Sequence, residues 1–128
     1  VSDRAILRAM HFFEENERVP RLAAALREPT AEHYLEEMLA SGESSMDKLQ
    51  NIYPADPNER GLALALSLCR RELTGLAHGG GFAGTVQALV PREREAGFLR
   101  VMRETFGEES CTHLTARAVG ACELEFPE

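Results

Sequence analysis

The stretch HGGGFAG, His78 to Gly84, holds four of the chain's ten glycines. Gly79, Gly81 and Gly84 satisfy the spelling G-x-G-x-x-G, and Val86 extends it to G-x-G-x-x-G-x-V. Both patterns serve nucleotide phosphates elsewhere, through backbone that can approach closely. The flanking residues decide whether that chemistry applies. A dinucleotide fingerprint needs a helix opening directly after the glycines, because the helix N-terminus holds the pyrophosphate. Here GTVQALV, residues 84 to 90, reads instead as a strand stopped by Pro91. A Walker loop needs Lys-Ser or Lys-Thr after the glycines, and a protein-kinase loop needs V-A-I-K, H-R-D and D-F-G segments. The chain contains none of these. Two readings of the run remain. Successive glycines permit positive φ and form a concavity of amides for an anion, or they turn the chain between two antiparallel strands with no ligand at all. His78 borders the run and stands either near phosphate or in a cross-strand structural place.

The other reactive side chains are dispersed. His11, His33, His78 and His113 show no metal-ligand spacing, so no metal site is expected from this chain. His11 reads as a hydrogen-bonded packing residue. Ser44 and Ser45, in SGESS, are either hydroxyls near a substrate or helix-capping residues after Gly42, and the capping reading is preferred. No serine occupies a nucleophile-elbow spelling, and no catalytic residue is assigned. Glu14, Glu15, Glu17, Glu36 and Glu37 read as solvated helix faces. Cys69, Cys111 and Cys122 are odd in number and far apart, which argues against a disulfide framework or a zinc ribbon and suits a reducing, cytoplasmic setting.

Composition limits the partners. The net charge is −7, and Lys48 is the only lysine. A binder of nucleic-acid backbone would need a clustered basic face, so no nucleic-acid partner is expected. No apolar run approaches the roughly 18 residues that span a bilayer, and no membrane partner is expected. A length of 128 residues reads as a single domain, 1–128, able to remove roughly two thirds of its unfolded surface from water. The chain opens on Val1, not methionine, and reads as a fragment or a processed piece.

The elements that position the glycine run follow from periodicity and turn chemistry. Ser2 or Asp3 caps a first helix whose apolar residues Ile6, Ala9, Met10 and Phe13 form a stripe expected to be buried. Pro20 is expected to kink or restart that helix before Leu22. Phe12 and Phe13 point to different faces, so one of them serves either a second packing surface within the domain or a contact beyond it. Thr30 is the expected cap of a second helix ending at Gly42, with a short helix through Leu49 and Ile52 after it. Pro54 to Pro57 is a loop, and Asn58 starts a helix with Leu62, Leu66, Cys69 and Leu73 on one side. After the glycine strand, a helix over Arg92 to Phe106 buries Phe98, Val101, Met102 and Phe106 and closes at Gly107. Two last strands are expected at Cys111–Arg117 and Ala121–Glu125, across a turn at Gly120. Helices followed by strand, strand, helix and strand indicate the α+β class with an antiparallel sheet.

Three segments carry a resemblance. RAMHFFEENERV (Arg8 to Val19), SGESSMDKLQNIY (Ser41 to Tyr53) and HGGGFAGTVQALVP (His78 to Pro91) resemble, in order and spacing, the C-terminal half of galactokinases of the GHMP kinase superfamily. The similarity spans nearly the whole chain. It implies a ferredoxin-like antiparallel sheet elaborated with extra N-terminal helices, and an intact enzyme that passes phosphate from ATP, with Mg2+, to galactose or a related sugar. It also implies that Gly79, Gly80, Gly81, Phe82, Ala83 and Gly84 line the substrate and phosphates by backbone approach and shape, with His78 beside them. The family's phosphate loop, magnesium-binding serine and catalytic aspartate belong to an N-terminal kinase domain absent from this chain, so that domain is the expected partner. The isolated chain is expected to be inactive and to hold neither ATP nor Mg2+ tightly. One departure stands out: LTGLAH carries Leu76 where the family has an arginine. That departure points to the alternative of a non-catalytic, ligand-sensing or interaction module.

Overall fold

A computed structural model describes residues 1–73, 77–79 and 84–115. The first helix, α1, runs Asp3–Ala25, and α2 runs Glu32–Ser44. A π-helical turn, π1, continues α2 over Ser45–Leu49. Helix α3 spans Gly61–Leu73, and two short strands follow, β1 at Ala77–Gly79 and β2 at Val86–Ala88. Helix α4, Glu95–Phe106, comes after a 3-10 turn at Arg92–Arg94.

Local chemistry explains most boundaries. Ser2 accepts the Ala5 amide through its side chain at 3.3 Å, the expected N-cap. Gly107, at φ 98°, closes α4 where the sequence placed the end. Three boundaries differ from expectation. Thr30 does not cap α2, which begins behind Ala31 with no side-chain cap. Gly42 lies inside α2, and the chain stops only at Gln50, in the left-handed region at φ 55°, after its amide has closed the wide turn to the Ser45 carbonyl. Asn58 does not open α3; its amide instead bonds the Asp56 carboxylate at 2.8 Å in an Asx turn. Pro20 neither stops nor restarts α1. The carbonyl that loses its amide donor is that of Asn16, an exposed residue, so water can take the place of the missing bond.

The expected ferredoxin-like α+β sheet is contradicted by the described residues. The described residues are mostly helical, with one antiparallel ribbon of three pairs: Ala77 with Ala88, His78 with Gln87 and Gly79 with Val86. The strand signal of residues 84–90 is real but narrows to Val86–Ala88. The expected strand at Cys111–Arg117 joins no ladder over its described part, 111–115, and Ala121–Glu125 lies outside the described residues. Helices take the place of further strands: Val86, Ala88 and Val90 cover a core of Ala65 and Cys69 from α3 with Phe98 and Met102 from α4. The burial expected of Leu66, Cys69, Phe98 and Met102 holds, whereas Phe106 is exposed.

Two helical units result. Helix α1 packs on α2 and π1, α3 packs on α4, and β1 lies against both α2 and α3. The ribbon that carries the glycine run therefore joins the two units.

Candidate functional site

The glycine run connects β1 to β2. His78 and Gly79 are the second and third residues of β1, and Gly79 opposite Val86 is the last pair before the connection. Gly84 is exposed and sits at φ 78°, a conformation that a side chain disfavours. Among the described residues, its chain neighbours aside, no atom lies within 4 Å of where its Cβ would be, so the requirement for glycine seen there is that of the backbone. Gly80, Gly81, Phe82 and Ala83 lie outside the described residues. His78 pairs with Gln87, an exposed position of β2.

A second assembly, which sequence reading distributed over solvated faces, forms between α1, α2 and π1. His11 Nδ1 lies 3.0 Å from the Ser44 hydroxyl, and that hydroxyl donates to Glu14 Oε2 at 3.3 Å. The Lys48 ammonium also bonds Glu14. Arg18 is buried and pairs with Glu15 along its own helix and, through Nε, with Glu37 of α2 at 3.4 Å. Arg21 holds Glu37 with two bonds of 2.6 and 3.2 Å, and Ser41 donates to Glu15 at 2.8 Å. Glu14, Glu15 and Glu37 are thus partly exposed residues that also make the contacts between these helices.

The electrostatics follow from these contacts. The hydrogen bond from Lys48 holds the Glu14 carboxyl below the usual carboxylate range, and the bond from Arg21 does the same for Glu37. The Arg21 guanidinium is correspondingly raised. His33, bonded to Glu28 at 2.6 Å on the surface, is raised as well.

The assembly has the residue types of a base and a nucleophile, but its geometry serves packing. Ser44 and Ser45 are buried, and the Ser44 hydroxyl is shared between His11 and Glu14. Ser44 therefore ties two helices together and does not cap a helix start. His11 is the hydrogen-bonded packing residue that its place on α1 suggested. Cys69 is fully buried, and burial pushes its thiol up to about 11, which leaves it protonated and unreactive. Among the described residues no group of three His, Cys, Asp or Glu side chains could hold a metal. No described helix is long and apolar enough to cross a membrane.

The comparisons add no relative. No family model, no curated protein and no solved structure matches the chain. The functional reading therefore rests on the residues themselves and on where the fold places the three segments quoted above. Two of those segments meet: RAMHFFEENERV lies in α1, and SGESSMDKLQNIY begins in α2 and runs through π1, with His11 to Ser44 and Glu14 to Lys48 joining them. The third, HGGGFAGTVQALVP, contributes His78 and Gly79 to β1, which lies against α2, and Val86–Ala88 as β2. Sequence reading missed the ion pairs between the first two segments. The available signal was the charge on α1, which alternates in sign at helical spacing: Glu14 and Glu15, then Arg18 and Arg21.

Proposed function

We propose that this chain is the C-terminal part of a galactokinase-like, ATP-dependent sugar kinase of the cytoplasm, and that its glycine ribbon forms one wall of the active site. One observation carries the reading: the glycine run joins two paired antiparallel strands, with Gly84 exposed at positive φ, and the ribbon is anchored on α2 and α3. A glycine exposed at positive φ can bring its backbone amide to an anion without a side chain of its own in the way. Phosphoryl transfer depends mainly on positioning and on charge stabilisation at the transferred group. In this reading ATP and Mg2+ are bound by an N-terminal kinase domain that carries the phosphate loop and the catalytic aspartate. The present chain supplies Gly79, Gly80, Gly81, Phe82, Ala83 and Gly84, with His78 at the base of the turn. It contributes shape and amides, not a proton-transferring group.

A coupled assay of ADP release tests the proposal, with galactose and related sugars as acceptors. The enzyme that contains both domains is expected to turn over, and the 128-residue chain alone is expected not to. Turnover by the isolated chain would overturn the assignment of the chemistry to the other domain. A second reading, a non-catalytic sugar-sensing module, is favoured by Leu76 at the place of the family's arginine. Saturable sugar binding without ADP release by the two-domain protein would select it.

A further inference from the structure

Helix α1 packs with a mixed face that carries buried charge as well as apolar residues. The residues turned toward α2 and π1 are Leu7, His11, Glu14, Arg18, Leu22 and Ala25, and they include the ion pairs described above. On another face runs Ala5, Ala9, Phe12, Asn16, Val19, Ala23 and Leu26, a series whose steps alternate between four and three residues. Every member of the series is exposed, and Phe12, Val19 and Leu26 are 61%, 61% and 69% exposed. Steps of four and three keep a seam on one side of a helix and are the signature of pairing with a second helix. In that repeat Phe12, Val19 and Leu26 take the d positions, and Ala9, Asn16 and Ala23 take the a positions.

Asn16 identifies the partner. A single asparagine at an a position lowers stability but fixes register and helix number, because its amide is satisfied by the same residue at the same height of a parallel copy. One amide hydrogen of Asn16 bonds the Phe12 carbonyl at 3.0 Å, which leaves the second hydrogen and the side-chain oxygen for that exchange. The flanks agree. A parallel copy places Arg8 opposite Phe13, Glu15 opposite Pro20 and Leu22 opposite Arg27, so no like charges face each other although the chain carries −7. We propose that α1 pairs in parallel with α1 of a second copy of this chain through the seam from Ala5 to Leu26, with Asn16 against Asn16 of the partner subunit. This goes beyond the sugar-kinase reading.

Sedimentation equilibrium of the 128-residue chain without sugar or nucleotide tests the pairing, so its result is independent of the kinase proposal. At about 100 µM, where a micromolar dissociation constant gives mostly complex, a dimer is expected. Phe12→Glu and Val19→Glu should each give a monomer with unchanged helical circular dichroism, since both side chains are exposed. Asn16→Leu should tighten association or raise its order. Arg100→Glu, on an exposed position of α4, should leave the dimer unchanged. A chain that stays monomeric at this concentration overturns the proposal. So does a dimer that ignores Phe12→Glu and Val19→Glu, or one whose association is unaffected by Asn16→Leu.

Discussion

The two helical units are held together by different chemistry. Between α3, α4 and the ribbon the contacts are apolar: Cys69, Ala65, Phe98 and Met102, covered by Val86, Ala88 and Val90. Between α1, α2 and π1 the burial of Leu7, Leu22 and Ala25 is joined by ionic and hydroxylic contacts: Arg18, Arg21 and Lys48 against Glu14, Glu15 and Glu37, with His11, Ser41 and Ser44 between them. Apolar contact is tolerant of partner identity, whereas charge pairs demand a matching group at a fixed place. The first unit is therefore a core, and the second is a coded interface. The glycine ribbon lies against both.

The difference can be broken by mutation, beginning with the largest effect. Phe98→Ala removes a buried ring from the α3/α4 core and should cost about 4 kcal/mol, read as a lowered denaturant midpoint. Arg18→Ala removes a buried guanidinium from Glu15 and from Glu37, which keeps Arg21, and should cost about 2 kcal/mol. Adding Glu37→Ala to Arg18→Ala should cost less than the two single changes summed, because the pair they share is lost only once. Full additivity would mean that this pair does not couple the two helices.

Acid should separate the units next. Glu14 and Glu37 have carboxyls held below their unfolded values. Their contribution is complete above the ordinary carboxylate range and is lost as pH falls through the depressed folded values. Amide protection, taken relative to intrinsic exchange at each pH, should therefore fall in α1 and α2 before α3 and α4 on acidification. High salt should weaken the same pair of helices more than the apolar unit. Ser2→Ala, which removes the cap of α1, should cost about 1 kcal/mol and fray only that helix.

This contrast also explains what the sequence could and could not reveal. Phe98, Met102, Leu66 and Cys69 recur at helical spacing and are buried as that spacing suggests. Ser2 and Gly107 mark helix ends by local chemistry alone. On α1 the same apolar rule fails, because Ile6, Met10 and Phe13 form a stripe that stays exposed. The face that packs is chosen by carboxylates and an arginine whose partners arrive 19 to 34 residues later, and periodicity holds no record of such pairs. Gly42 and Ser44 were misread for a related reason: a helix carried on by a π turn does not end at its glycine. The strand after the glycines was legible from Val86 and its β-branched neighbour. The wider sheet was not, because helices satisfy the inner face of that strand. At the candidate site, sequence spelling identified the glycine run, and the structure added the register that makes it a turn between paired strands.

The central functional claim is that this turn works through its backbone. The most direct measurement is the rate of galactose phosphorylation by the two-domain enzyme with and without Gly84→Ala. Its chain neighbours aside, an added methyl at Gly84 meets none of the described residues, so the effect expected is that of the strained φ, at a cost of about 1 kcal/mol in stability. Misplacing a positioning loop can cost about a hundredfold in rate, so the account predicts a fall of that order in kcat with the fold retained. An unchanged kcat would contradict it.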